Sequence, residues 1–326
     1  MDYIRRHRNT TQPPAGRKVT VIKKPTPRDL EIFRLLDARF GYRFLSSHYI
    51  HHFVGGNSTW LVKRLGALKE AQNAFLLWPD QQKYSENAAY KQGVYELAPK
   101  GARAIGVEIP PLPKQEYAHE LMRCIVEADF KIGAKKKGLR HIGWDELSVH
   151  PNTPAATRTS PDPFKIPLAD GHMRADGPPF ILATDIAGVQ RRICIPCKEI
   201  DRDTEGLERT IAGKFRNYHE FMQRKLYASH FGFDNALIPF ITTDESRMRG
   251  MMNLLGPCPY IIFKVVPDYA LARHFPLLAP PPKPETPQDD LKHQELLQRG
   301  VTTDLITKPW KRMGYPDFSL VDMRPV

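Results

Sequence analysis

Between Ile195 and Tyr218 the chain reads IPCKEIDRDTEGLERTIAGKFRNY, an apolar strand that ends in acids and leads into an amphipathic helix carrying a lysine. Side chains two residues apart on a strand point the same way, so Glu199 and Asp201 share a face and aim together at whatever sits there. Carboxylates presented in this way are how a site for a hard cation begins. Asp170, at the end of the strand-like segment IPLADG, offers another acid, while Lys214 and Tyr218 stand one turn apart on the helix. The plain structural alternative is a set of strand-end acids paired with Arg191, Arg192 or Arg202 at the surface, where each pair contributes little.

Three other groupings carry weaker signals. Cys194 and Cys197 form a CxxC, which suggests redox chemistry or half of a zinc site. On a strand, however, residues three apart face opposite ways, which fits two buried thiols better than a chelating pair. His48, His51 and His52 fall on a predicted helix, but only His48 and His52 share a face, and no carboxylate accompanies them as in HExxH. Tyr218 and Tyr227 raise the covalent tyrosine chemistry of relaxases, which also needs three metal-holding histidines that nothing in the chain supplies.

The chain has 326 residues and a formal net charge of +12, with a pI near 9.5. It is long enough for two domains with their own cores. Basic residues gather at Arg5, Arg6, Arg8, Arg17, Lys18, Lys23 and Lys24 and again at Lys135, Lys136, Lys137 and Arg140. That excess favours a polyanionic partner through phosphate neutralisation and counterion release. No apolar run approaches the roughly 18 residues needed to span a bilayer, and the N-terminus has charge without an apolar core. Four cysteines are too few for a disulfide framework. The expectation is a soluble cytoplasmic protein.

Residues 1–24 read as a basic, disordered arm. Thr26-Pro27-Arg28-Asp29 opens a helix to about Arg39, with a cap, a tolerated proline and an acid in the first turn. A second helix, Leu45 to Phe53, ends at Gly55-Gly56, and a third runs from Asn57 or Ser58 to about Gln72. Its Leu61, Leu65 and Leu68 face inward, leaving Trp60, Lys63, Arg64 and Lys69 largely outward. Residues 74–78 and 94–97 read as two strands joined by a polar loop. Helix-turn-helix followed by a hairpin is the order of a winged helix, and residues 25–109 resemble the winged-helix domains of bacterial and phage DNA-binding proteins. That likeness implies a third helix in the major groove, with Trp60, Lys63, Arg64 and Lys69 facing DNA and Lys83 and Lys91 of the wing near the backbone.

Pro110, Pro111 and Pro113 mark a boundary. Beyond it come a helix from about Gln115 to Phe130, a Pro-, Thr- and Ser-rich loop through Pro163, and then strands at 164–168, 179–186 and 192–200. A helix bearing Leu207, Ile211, Phe215 and Met222 follows, then a strand at 236–242, a helix at 245–255 and a strand at 260–266. Residues 279–290, APPPKPETPQDD, read as an extended linker, and the last stretch to Val326 as a tail that docks on its own domain, a partner or nucleic acid.

This order, with an acid at one strand end and acid-x-acid at the next, resembles the PD-(D/E)XK nuclease superfamily, the restriction-endonuclease-like fold. Residues 114–278 would form that domain, a mixed sheet flanked by helices, giving an α+β or α/β protein overall. With the winged helix in front and EIDRDTE followed by Lys214 and Tyr218, residues 25–275 look like the replication-relaxation family of plasmids and phages. The resemblance implies Asp170 and Glu199 as metal-binding acids, Glu120 as an accessory acid and Mg2+ or Mn2+ as cofactor. The usual lysine two residues after the glutamate is absent, and Asp201 stands in its place. Either Lys214 reaches back from the helix while Asp201 adds a metal ligand, or the site has decayed.

The function expected is therefore a DNA-binding protein of a mobile element that nicks or cleaves double-stranded DNA. The alternative is a non-catalytic regulator or virion-associated protein on a degenerate nuclease fold. The same resemblance admits a replication or virion protein as partner and a homodimer, and it places the protein in the bacterial cytoplasm or the virion, with no membrane partner.

Overall fold

The computed structural model describes residues 21–38, 42–79, 93–109, 116–186, 188–202, 205–266 and 304–326. Lys83, Lys91, the first twenty residues of the basic arm, Pro110 to Pro113 and the linker at 279–290 lie outside them. The fold is mixed α+β with small sheets, and among the described residues no helix is long and apolar enough to cross a membrane.

The described residues fall into two units, those up to Ala128 and those from Asp129 onward. In the first, α1 (Pro27–Leu35) starts at a capping box in which Thr26 and Asp29 satisfy each other's backbone amides, and it buries Ile32 and Phe33. Order reaches back further than the sequence predicts. Ile22 is buried and its amide donates to Asn73 Oδ1 at 2.7 Å. After β1 (Leu45–Ser46), α2 (Ser47–Val54) begins at the Ser46 cap and α3 (Ser58–Lys69) at the Asn57 cap. Gly55 and Gly56 join them at φ 64° and 75°, a backbone that side chains resist. β2 (Leu76–Leu77) and β3 (Val94–Leu97) then pair antiparallel, β1 pairs with β3 on its other side, and α4 (Pro99–Ala104) follows. Leu61, Leu65 and Leu68 are buried as expected.

The division between units falls inside α5 (Tyr117–Lys136), downstream of the prolines at 110–113 that predicted it. Packing explains this. In the first half of α5, Tyr117 meets the Phe44 ring edge-on and Cys124 Sγ accepts from the Phe44 amide. In the second half, Phe130 stacks on Trp310 and meets the Phe180 ring at a tilt, both in the second unit.

That unit holds two three-stranded sheets. The antiparallel one has the order β4 (Arg140–Ile142), β7 (Phe180–Ile186), β8 (Val189–Ile195). The parallel one has the order β11 (Ile261–Val265), β10 (Ile238–Thr242), β9 (Glu199–Asp201). The near-continuous apolar runs of β10 and β11 fit strands covered on both faces. β8 leads into β9, and its Cys194 carbonyl accepts from Leu237 at the start of β10, so the two sheets adjoin. A π-helical turn (Leu207–Ile211) runs into α8 (Ala212–Gln223), and α9 (Leu226–Phe231) and α10 (Glu245–Leu255) complete the cover.

The Pro-, Thr- and Ser-rich stretch is ordered and contains α6 (Trp144–Leu147) and α7 (Ala155–Arg158). It is tied down by Thr157 donating to the His230 carbonyl and by the His230 ring on the Pro163 carbonyl. Between it and β7 lies a separate hairpin, β5 (Lys165–Leu168) and β6 (Gly171–Arg174). Residues 304–326 belong to this unit as well, through α11 (Asp304–Thr307) and the pair β12 (Phe318–Ser319) and β13 (Arg324–Pro325). Trp310 is fully buried, its indole donates to the Leu305 carbonyl at 2.7 Å, and Lys311 bridges to Phe263 of β11. Of the destinations open to the tail, its own domain is the one observed.

Candidate functional site

β9 carries its acids into the interior because Phe240 and Thr242 of buried β10 pair with Glu199 and Asp201. Each acid is only 3% exposed. A buried carboxylate must be compensated, and the compensation differs between the two. Tyr218 donates to Glu199 Oε1 at 2.5 Å, and Lys214 Nζ lies 2.8 Å from Oε2. Lys214 also sits 3.0 Å from Glu205 Oε2. Thus Lys214, from the polar border of α8, reaches back to β9.

The second acid beside Glu199 is Asp176. Its amide donates to the Lys198 carbonyl at 3.1 Å and its Oδ2 accepts from the Ile200 amide at 2.7 Å, which pins it to β9. Burial pushes the Glu199 carboxyl up, and the Asp176 carboxylate pushes it further, against the opposing pull of Lys214 and Tyr218. On Lys214, burial works to lower the ammonium, but Glu199, Asp176 and Glu205 outweigh it and hold it well above its ordinary value. Tyr218 is raised too, by burial and then by Glu199, so it acts as a neutral donor rather than a phenolate nucleophile.

Asp201 does not join this cluster. Arg247 of α10 grips it with Nε 2.7 Å from Oδ2 and Nη2 3.2 Å from Oδ1. Thr242 adds a hydroxyl at 3.4 Å, and the same guanidinium donates to the Glu205 carbonyl. The two acids share a strand face as expected, yet one is held by α8 and the other by α10.

Asp170 lies elsewhere. Leu168 pairs with Gly171 across the β5–β6 hairpin, so Asp170 occupies the exposed turn of a separate two-stranded sheet. Both Asp170 and Asp176 precede a glycine near a strand end, and only tertiary pairing tells them apart. Glu120 is in the first turn of α5, within the other unit, where Arg123 takes both its oxygens at 2.7 Å. Cys194 and Cys197 are buried thiols, with Cys194 pushed up to about 12 by burial. Arg192 pairs with Asp234.

Among the described residues no group of three or more His, Cys, Asp or Glu side chains is arranged to hold a metal. Asp176 and Glu199 together make a smaller donor set. Glu199 Oε2 is buried and accepts no aligned hydrogen bond, its Lys214 contact being an ion pair. Two carboxylates suit Mg2+, which keeps several waters and commonly binds one or two acids plus substrate phosphate.

In the first unit, the outward face of α3 presents Trp60, 46% exposed, and Lys63. Arg64 faces the other way. Its Nε and Nη2 bind the fully buried Asp29 at 2.9 and 2.5 Å. Lys69 Nζ lies 3.8 Å over the Trp78 ring. Arg28 joins the α3 surface unannounced by the sequence, with its guanidinium 5.1 Å over Trp60 and donating to the Gly55 carbonyl. Its only local signal was a place in the α1 capping segment. Of the histidines, His51 contacts the Gly56 carbonyl at 2.7 Å, and His48 and His52 meet edge-on, roles within helix and turn packing. No protein-family model, curated protein or solved structure matches the chain.

Proposed function

We propose that the chain binds double-stranded DNA through its first unit and nicks or cleaves it at the Asp176, Glu199 and Lys214 cluster with a divalent cation. The observation that carries this reading is the 2.8 Å approach of Lys214 to Glu199 beside Asp176. Two acids and a lysine that converge on a buried strand are what a restriction-endonuclease-like site requires, and the lysine missing two residues after Glu199 would be supplied from α8. The element order supports the same reading. On this reading α1, β1, α2, α3, β2 and β3, with sheet order β1-β3-β2, would serve as a winged helix, and the antiparallel strands, α8 and the parallel strands of the second unit would serve as a nuclease-like core.

Asp176 and Glu199 would hold Mg2+ or Mn2+, which when bound supplies charge stabilisation for the phosphate and a more acidic water. The chain does the rest. Tyr218 fixes Glu199 Oε1, Lys214 offers an ammonium to a non-bridging phosphate oxygen, and the Asp201–Arg247 pair braces the end of β9. In the first unit, Trp60, Lys63 and Arg28 meet the duplex.

One observation favours a second reading, a DNA-binding regulator or virion-associated protein without cleavage. Both acids of β9 are already compensated by protein cations. Supercoiled plasmid incubated with Mg2+ or Mn2+ separates the two. Nicking by the wild type and not by Glu199→Ala supports cleavage, and salt-sensitive binding without nicking in either establishes the second reading.

A further inference from the structure

The C-terminal end of α5 presents Lys131, Lys135, Lys136 and Lys137, all exposed. A Schellman-type closure follows, with Gly138 at φ 69° and the Leu139 amide on the Ala134 carbonyl at 2.9 Å. This turns the chain sharply into β4, so exposed Arg140 follows directly. Arg140 pairs with Ala183 of β7, and Ala183 with Arg192 of β8. Because β4 starts at Arg140 and runs antiparallel to β7, the part of the β7–β8 pair beyond Ala183 lies at the same end of the sheet as Lys135 to Lys137.

That part of the strand pair is unusual in its exposure. A strand covered on one face alternates buried and exposed residues, but Val189, Gln190, Arg191 and Arg192 are all exposed, so neither face is covered there. The acids nearby are few. Glu146 pairs with Arg140, Asp234 with Arg192, and Asp185 accepts from the Gly188 amide. Among the described residues Lys131, Lys135, Lys136, Lys137 and Arg191 have no acidic partner. The negative end of the α5 dipole, worth about half a charge, offsets only a fraction of three ammonium groups in or just after its last turn.

We propose that this end of the second unit is a duplex-DNA contact surface of its own, where Lys135, Lys136 and Lys137 bind backbone phosphates while the β7–β8 ribbon presents Arg191 to the major groove. It rests on the DNA-binding reading above and adds a surface separate from α3. A two-stranded ribbon fits the major groove of B-form DNA, and Arg is a side chain that reads base edges there. The deep, narrow major groove of duplex RNA excludes such a ribbon, which commits the surface to DNA.

The test is anisotropy of the full chain on a short fluorescent DNA duplex across a salt series, with an RNA duplex alongside. Lys135→Gln/Lys136→Gln/Lys137→Gln should lower the slope of log affinity against log salt by about 2.7, at ~0.9 per phosphate contact. The single Lys136→Gln, expected to lower it by about 0.9, serves if the triple variant does not fold. Lys308→Gln/Lys311→Gln/Arg312→Gln removes the same charge elsewhere and should leave the slope near wild type. Arg191→Ala should weaken DNA binding about tenfold, the scale of one base-edge contact, and leave RNA binding unchanged. Equal slope losses in the two triple variants would overturn the surface by reducing it to net charge. An unchanged slope in the lysine triple, with binding weakened by Lys63→Ala, would overturn it and leave the first unit's role standing. Failure of the wild type to bind duplex DNA would overturn both.

Discussion

Arg64 of α3 donates to the Asp29 carboxylate of α1 through Nε and Nη2. As an outward cation on α3 it would contact DNA, and its loss would cost affinity. In the fold it is 18% exposed and holds Asp29, which is 0% exposed. Replacing it by Met keeps helix propensity and packing but leaves a buried carboxylate without its cation. Breaking a buried pair from one side costs about 3–5 kcal/mol. Here Asp29 keeps the Thr26 amide at 2.7 Å and Arg64 is partly solvated, so we expect about 2–4 kcal/mol. Native-state hydrogen exchange at α1 and α3 amides isolates this unit, and protection there should fall by roughly 30- to 1,000-fold. DNA affinity at a temperature where the variant stays folded should change little. The pH dependence follows from Asp29. Burial pushes it up, but Arg64 and Thr26 outweigh that and hold it below 3.8. Its stabilisation is therefore present above 3.8 and lost as pH falls through the lower folded value, so the gap between wild type and variant should close at acid pH. Protection unchanged to within about 0.5 kcal/mol, together with a large loss of DNA affinity, would refute this placement of Arg64.

Other consequences can be measured separately. Trp60→Ala and Lys63→Ala should each weaken duplex binding, and Lys63→Ala should also reduce the salt slope by about 0.9; anisotropy titrations that leave both unchanged would remove α3 from the interface. Trp310→Ala, at a fully buried indole, should cost about 3–5 kcal/mol in denaturant unfolding of the second unit. Lys264 donates to the Lys308 and Pro309 carbonyls at 2.6 and 2.9 Å, and burial lowers its ammonium from 10.5 to about 8. The unfolded chain therefore binds more protons between those values, and wild-type stability should rise by about 1–3 kcal/mol as pH goes from 8 to 10.5. Lys264→Met should abolish that rise, which pH-dependent urea unfolding would detect.

Much of the frame was legible because it is locally encoded. The Thr26 and Asp29 cap, the inward leucines of α3 and the apolar runs of β10 and β11 follow from spacing and residue type. Lys214 was legible as well, since the apolar stripe of α8 fixes which side borders the sheet. Partners distant in sequence were not. Asp201 is claimed by Arg247, 46 residues on, and Arg64 by Asp29, 35 residues back, and each pairing withdraws a residue that local pattern assigned to a ligand. Asp170 and Asp176 both precede glycine near the strands of one hairpin; the register of Leu168 with Gly171 sends the first outward, and the Ile200 amide holds the second in. The C-terminal segment lacked periodicity because a single indole and a few backbone contacts, rather than an amphipathic face, anchor it.

The most direct measurement of the central claim is plasmid nicking in Mg2+ or Mn2+ by Asp176→Asn beside Asp170→Asn. Loss of nicking in Asp176→Asn, with nicking retained in Asp170→Asn and duplex binding intact in both, is the predicted result. Nicking that survives Asp176→Asn, or that vanishes with Asp170→Asn alone, would contradict it.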